Sequence, residues 1–432
     1  MRLAEYPRNG PLPVKEKKMH IVETINTVLM ILFFIFYSYQ FIYVPIALLY
    51  RRKKHKPEVL HRIAVLIAAR NEQAVIGNLI DSIRAQSYPA EYVDIYVGAD
   101  NCTDETARVA REHGATVFER FDKVRVGKGY VLNFLLEKIS GIPHDAYLVL
   151  DADNVLDPNF IREINAVHTD GYEIVTCYRN SKNYGDNWIT AGYALWFLRE
   201  ARYLNEARYA IGSSCAVSGT GFLFSEKIRE ECGGWNFFLL TEDIEFTIHN
   251  VVHGRKVGYA RNAVLYDEQP VTFRQSWRQR MRWSKGYLQV CRKYGCKLIA
   301  GIFRGSFSCY DMAMNIMPAA VLSAVSVVVN LIGFGYSFSA AGDTLSIVLS
   351  VLKLLEGLYL TLFILGGITT VTEWKQIHCA AWKKVLYVFT FPLFMLTYIP
   401  ICLCALFSKV EWKPITHEKS MTLAQIKESA DR

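Results

Sequence analysis

The apolar residues of this chain follow two different rhythms. From Ile21 to Tyr50 nearly every position is apolar, and Glu23 is the sole charge. Met312–Phe338, Leu345–Val371 and Val385–Phe407 repeat that texture at similar length. A helix needs roughly 20 apolar residues to cross a bilayer core, so the pattern predicts about four spans. The first is too long for the apolar region of a cleavable signal peptide, and no small-residue cleavage site follows it.

Between these stretches the period changes. Ile63–Ala69 is a short continuous apolar run, which predicts a strand buried on both faces. Glu72–Gln86 carries Ile76, Leu79, Ile80 and Ile83 at helical spacing. Asp94–Ala99 reads as a second strand and Asp104–His113 as a second helix, with Thr103 as N-cap. Thr116–Glu119 and Tyr147–Leu150 read as further strands, and Asp157-Pro158 opens another helix. Such alternation predicts an α/β domain with a mostly parallel sheet covered by helices on both faces. Ligands of such sheets bind beyond the carboxyl ends of the strands. Val271–Tyr294 differs again, mixing Trp277, Trp283 and Tyr287 with Arg274, Arg278, Arg280, Arg282 and Lys285. That mixture predicts a helix lying at the membrane surface.

The resulting division is a tail over 1–20, a span over 21–50 and an α/β domain over 52–270. Interfacial helices follow over 271–305, then about three spans over 306–408 and a tail over 409–432. The net charge of +8 does not point to nucleic acid. Its densest cluster, Arg51 to Lys56, follows the first span directly, as expected beside anionic lipid on the cytoplasmic face of a bilayer. That places 52–300 in the cytoplasm, at the plasma membrane, although Lys15, Lys17 and Lys18 on the other flank weigh against it. An N-terminal span plus three later ones would leave the tail from Lys409 outside. A cytoplasmic tail would instead make one segment re-entrant or interfacial, with Val385–Phe407, bearing Pro392 and Pro400, the candidate. The ten cysteines show no CxxC pairing, so reduced, mostly buried thiols are expected rather than a zinc site or a disulfide framework. Lys353 and Glu356 interrupt the third span at i, i+3. They either pair within the bundle or lie at its interface.

The chemistry concentrates just after the strands. Asp151 and Asp153 follow Tyr147–Leu150, and carboxylates at i and i+2 on a strand point to the same side. Together they suit Mg²⁺ or Mn²⁺, which bridges carboxylate and phosphate oxygens and neutralises a nucleoside-diphosphate leaving group. Gly127-Lys128-Gly129 precedes a helix and offers close backbone approach plus a point charge for phosphate, though it is no P-loop. Ser218-Gly219-Thr220-Gly221 is a small-residue turn. Thr241-Glu242-Asp243 supplies a carboxylate base, with helix capping by Thr241 as the plain structural alternative. In Gln279-x-x-Arg282-Trp283 all three side chains share one helix face. Arg282 suits bidentate binding of a diphosphate and Trp283 a flat face for a sugar ring.

In this order, ahead of a membrane-embedded half, these motifs resemble those of processive inverting family-2 glycosyltransferases. That group contains the cellulose, chitin, hyaluronan and poly-N-acetylglucosamine synthases. The resemblance covers about Ile63 to Gly286 and continues more weakly beyond; family members often carry proline where this chain has Ala68. It implies a GT-A type, Rossmann-like catalytic domain and a UDP-sugar donor. It implies contacts to the nucleotide from Glu72, Asp100, Lys128, Gln279 and Arg282. It makes Asp243 the base and puts Trp283, Thr241, Glu242, Gly219 and Thr220 on the acceptor side. The implied activity is growth of a β-linked polysaccharide, threaded outward through the spans. Four spans make a thin wall for such a channel, which leaves room for a second copy or an accessory protein. The rival within the family adds one sugar to a lipid carrier or short glycan. A transporter or scaffold is disfavoured by intact acidic motifs and by the lack of an inverted repeat of spans.

Overall fold

The computed structural model describes residues 14–52, 54–316, 325–332, 344–412, 417 and 419–429. The apolar run Ile63–Ala69 forms strand β1. Its Ile63, Val65 and Ile67 enter one core with helices Ile76–Arg84 and Phe160–Thr169. Its Ala64 and Leu66 enter the other, with helices Lys128–Lys138 and Trp188–Arg199. Burial on both faces is why the run shows no alternation.

The remaining strands are β2 (Val93–Asp100), β3 (Thr116–Arg120), β4 (Ala146–Asp151), β5 (Val155–Leu156), β6 (Ile174–Ser181), β7 (Phe222–Ser225) and β8 (Val257–Asp267). They form one sheet in the order β3-β2-β1-β4-β7-β6-β8-β5. The half from β3 to β4 is parallel, as the alternation predicts. The other half is mixed. β7 runs antiparallel to both β4 and β6, β6 and β8 are parallel to each other, and β5 is antiparallel to β8. The reversal has a use. The amino end of β7 lies beside the carboxyl end of β4, with Phe222 opposite Val149, so the turn 218–221 falls at the ligand edge of the sheet. The expected cap at Thr103 does not form. The helix runs Thr106–Glu112 with Glu105 at its N-cap, and Oδ1 of Asp104 accepts from the backbone N–H of Thr106 at 3.1 Å.

Among the described residues three helical segments are long and apolar enough to cross a membrane: Thr24–Leu49, Val351–Thr372 and Ala381–Phe407. The first is broken at Ser38 between helices Val14–Tyr37 and Tyr39–Leu49. The expected span Met312–Phe338 begins in the helix Phe307–Ile316 and is helical again over 325–332; its other residues lie outside those described. Val351–Thr372 has 6% of its apolar window buried in protein, whereas Ala381–Phe407 has 33%. The latter leans on the α/β domain in two pieces, Ala381–Leu396 and Tyr398–Phe407. Gly192 admits the ring of Phe394 so closely that a Cβ there would lie 2.3 Å from it.

The basic aromatic stretch forms one helix, Phe273–Phe303. Arg280, expected at a solvated membrane surface, is fully buried. It donates to the carbonyl of Phe394 at 3.1 Å and to Oγ1 of Thr397 at 2.7 Å, with its guanidinium over the Phe394 ring. The helix therefore holds the kink between the last two helices. Lys353 and Glu356 are both exposed, and among the described residues they form no ion pair with each other. All ten cysteines are free, four of them buried and two exposed. The tail returns to the α/β domain. Lys419 N–H bonds Glu268 at 3.0 Å, Ser420 accepts from Asn78 at 2.9 Å, and Ile426 is buried beside Val155 and Tyr266. The tail thus packs on the α/β domain rather than extending away from it beyond the apolar helices.

Candidate active site

Strand ends carry the charge. Asp100 closes β2 and Asp151 closes β4; Glu72 lies three residues beyond β1 and Asp153 two beyond β4. The amino end of β7 faces this same edge, so turn 218–221 joins them. The backbone N–H of Asp151 donates to Oγ1 of Thr220 at 2.9 Å, and Thr220 donates to Oδ1 of Asn154 at 2.6 Å. Gly219 has φ +79°, in the left-handed region open to glycine. A Cβ on it would lie 3.8 Å from Oδ2 of Asp243, which fixes how close the turn and the helix start are.

Lys128 reaches across this gap. Its ammonium pairs with Asp151 and donates to the carbonyl of Gly219 at 2.8 Å. Gly129 behind it packs on Phe237, whose carbonyl would sit 2.1 Å from an added Cβ. Asp153 is buried, and its carboxylate accepts from the backbone N–H of Glu268 at 2.6 Å. Burial opposes its ionisation, yet His417 and Lys182 hold its carboxyl below the usual range. The two carboxylates line one cavity, one buried and one partly open, with a lysine ammonium already neutralising the open one. Hard divalent cations are held by one or two carboxylates plus substrate phosphates, so this pair fits such an ion without a third protein carboxylate.

Asp100 is buried and receives Nη1 of Arg120 at 2.6 Å. Glu72 is held by its backbone N–H to Thr106 at 2.8 Å, and burial pushes its carboxyl up to about 7. The imidazole of His417 lies 3.0 Å from that carboxylate. Burial opposes protonation of His417, but the carboxylates of Asp153 and Glu72 overcome it and push the imidazole up to about 10.

Asp243 sits in the first turn of the helix Glu242–Val252. Burial pushes its carboxyl upward, against its own helix backbone, Lys128 and Arg282. Burial and the Asp243 charge push Glu242 to about 7. Thr241 does not cap this helix. Its hydroxyl is buried against Gly286, where an added Cβ would come within 2.5 Å of it, and among the described residues it has no hydrogen-bond partner. Arg282 spends Nη1 on the carbonyl of Leu240 at 2.8 Å, tying helix Phe273–Phe303 to this turn. Trp283 packs edge-on against Tyr193 and Phe197, at 5.7 and 6.1 Å between ring centres. The Oε1 of Gln279 is buried and, among the described residues, has no hydrogen-bond partner.

One cavity of about 1990 Å³ touches nearly all of these groups. Glu72, Asp100, Lys128, Asp151, Asp153, Gly219, Thr241, Glu242, Asp243, Gln279, Arg282 and Trp283 all line it; Thr220 lies behind the wall as a support. The cavity runs on between the apolar helices, past Phe33, Leu352 and Leu358. Three of its residues went unnoticed in the sequence. Asp267 closes β8, Arg179 lies two residues before the end of β6, and the two pair, Nε to Oδ2 at 2.7 Å. Asp267 carries the signal that marked Asp100, a charge ending an apolar strand. His417 carries no local signal, because its hydrogen-bond partner Glu72 lies 345 residues away.

Residues 61–286 match the family model described as glycosyltransferase like family 2. A β-monoglucosyldiacylglycerol synthase of Synechocystis sp. is 25% identical over 238 residues, covering 53% of this chain and 48% of its own. A poly-β-1,6-N-acetyl-D-glucosamine synthase of Staphylococcus aureus is 26% identical over 248 residues, covering 54% and 58%. The chain thus spans about half to three-fifths of the length of these relatives. The fold matches a mannosyltransferase of Pyrobaculum calidifontis, solved with GDP-mannose and Mn²⁺. The TM-score is 0.58 at 13% identity, over 90% of this chain and 99% of that one. The sheet with its strand-end site is thus a GT-A fold.

Proposed function

Because the chain belongs to the glycosyltransferase-like family 2, we propose that it is an inverting, membrane-embedded transferase that extends a β-linked saccharide from a UDP-sugar at the plasma membrane. The observation that carries this reading is the single cavity joining the strand-end carboxylates, Asp243, Trp283 and the membrane helices. Donor and acceptor would enter it from opposite ends.

Glu72 and Asp100 would hold the nucleoside, and Lys128 and Arg282 the diphosphate. Asp151 and Asp153 would hold Mg²⁺ or Mn²⁺, which supplies neutralisation of the charge on the departing diphosphate. Asp243 would take the proton of the acceptor hydroxyl as that oxygen attacks C1 of the donor sugar. The C1–O bond to phosphate breaks on the opposite face, UDP leaves with the electron pair, and the configuration at C1 inverts. One base suffices because the leaving group needs no proton. The upward shift of Asp243 suits the task, bringing a carboxylate closer to working pH.

A second reading is favoured by the apolar walls beyond Trp283. They suit an acyl or prenyl chain as well as they suit a bilayer, and the Synechocystis relative is named for a glucosylated diacylglycerol. In that case one sugar is added to a lipid headgroup. Purified protein in nanodiscs with Mn²⁺ or Mg²⁺, offered UDP-glucose, UDP-N-acetylglucosamine, UDP-glucuronate and UDP-galactose, separates the two by UDP release and product size. High-molecular-weight product absent from Asp243→Asn supports the polymer; a single lipid-linked sugar supports the second reading. Asp243→Asn protein with undiminished turnover overturns both.

A further inference from the structure

The helical run that follows Trp188 is interrupted at one place. Trp188–Arg199 is α-helical, Glu200–Asn205 is π-helical, and Glu206–Ala210 is α-helical again. A π turn inside an α-helix is unfavourable and collects at functional sites. Here it falls where the run passes the cavity.

The charges along the run divide into two groups. Arg202 pairs with Glu373 at 3.0 Å, Glu206 with Arg52 at 2.8 Å, and Arg208 with Asp311 at 2.6 Å. These are structural ties away from the cavity. Arg199 and Glu200 differ: both line the cavity, and among the described residues neither has an oppositely charged group within 4.0 Å. Arg199 donates to Oε1 of Gln40 at 2.7 Å and lies over the ring of Trp196 at 5.1 Å. Glu200 accepts from Oγ of Ser218 at 3.2 Å, which joins it to the turn beside Asp243. Taking two charges out of bulk water without pairing them is costly, and the fold pays that cost at the junction between the charged and the apolar ends of one cavity.

The geometry points to Arg199 and Glu200 as a subsite that grips the hydroxyl-rich head of the acceptor on the membrane side of Asp243. The inference rests on the transferase reading above and names what its acceptor end recognises. A carboxylate takes hydrogen bonds from hydroxyls, a guanidinium gives them to hydroxyl oxygens, and the indoles of Trp196 and Trp283 offer apolar surface to C–H faces. One positive and one negative group side by side match an uncharged polyol and disfavour an anionic or a cationic head. Two sources share this chemistry: the growing end of a neutral saccharide, and the glycerol or glycosyl head of a lipid.

The test uses the full chain in nanodiscs and the variants Glu200→Gln and Arg199→Met. Binding of a short neutral β-linked oligosaccharide, and separately of a monoacylglycerol (two free hydroxyls) doped into the disc, is read from intrinsic tryptophan fluorescence. Acceptor and donor KM are measured in parallel. The expected result is at least a tenfold loss of affinity and a matching rise in acceptor KM for one of the two probes, with donor KM moving less than twofold. The probe affected identifies the source. Wild-type binding that neither variant weakens overturns the subsite, as does a fall in thermal stability with unchanged acceptor affinity. Acceptor binding without turnover of any UDP-sugar would instead count against the transferase reading and leave the subsite standing.

Discussion

The two ends of the cavity are built by different means. The end proposed for the donor is made of strand termini, where the backbone ladder sets each residue's position and neighbouring side chains need add little. Asp100, Asp151 and Asp267 each close a strand, and Arg179 lies two residues inside the end of another. The end proposed for the acceptor is made of helices that meet side by side, and packing contacts set its shape. Arg280 under the last kink, Gly192 against Phe394 and Gly286 against Thr241 are examples. A site fixed by a sheet tolerates changes nearby that a site fixed by packed helices does not. Mutations should therefore part the two ends, chemistry failing at one and assembly at the other.

The largest effect is expected at the boundary between them. Asp243→Asn should lower kcat by about 10³-fold while leaving UDP affinity and thermal stability close to wild type. Arg208→Met breaks the buried pair that ties the α/β domain to Asp311, Tyr39 and Tyr43. It should cost about 3–5 kcal/mol, seen as a lower thermal midpoint, because Asp311 stays buried without its cation. At the donor end Asp151→Asn, or chelation of divalent ions, should cost about 10²-fold in turnover with little change in midpoint, since that carboxylate is partly open. Gly286→Ala presses on Thr241 and should cost about 1–3 kcal/mol. If it also shifts kcat, the turn bearing Asp243 depends on that helix; an unchanged midpoint would show that the packing there has slack. The smallest effect is on pH. As the proposed base Asp243 must be ionised to act, and burial raises its carboxyl above the ordinary 3.8. On acidification kcat/KM should therefore fall at a pH above that value, about tenfold per unit below the midpoint. A midpoint at or below 3.8 would mean that the base is another group.

Much of the donor end is legible in the amino-acid order because strand ends are local. An apolar run followed at once by an acid, as at Leu150-Asp151, says both where the strand stops and where the charge points. The same rule applied to Tyr266-Asp267 would have found that carboxylate too, whereas Arg179 lies inside its strand and escapes the rule. The short β7 was harder, because four buried residues after a glycine-rich turn do not reveal their direction. The acceptor end is less legible. Trp283 and Gln279 stand out as a motif, but Arg199 and Glu200 look like any charged pair on a helix until their lack of ionic partners among the described residues is seen beside the paired Arg202, Glu206 and Arg208.

Composition and period alone determined an α/β domain joined to membrane-length helices, with acids grouped after its strands. These features follow from apolar spacing and from residues adjacent in the chain. Tertiary structure decided the reversal of β7, the burial of Arg280 and the return of the tail that sets His417 on Glu72. Each depends on segments far apart in sequence meeting in space, and no local pattern encodes which partner a helix face or a lone histidine will find.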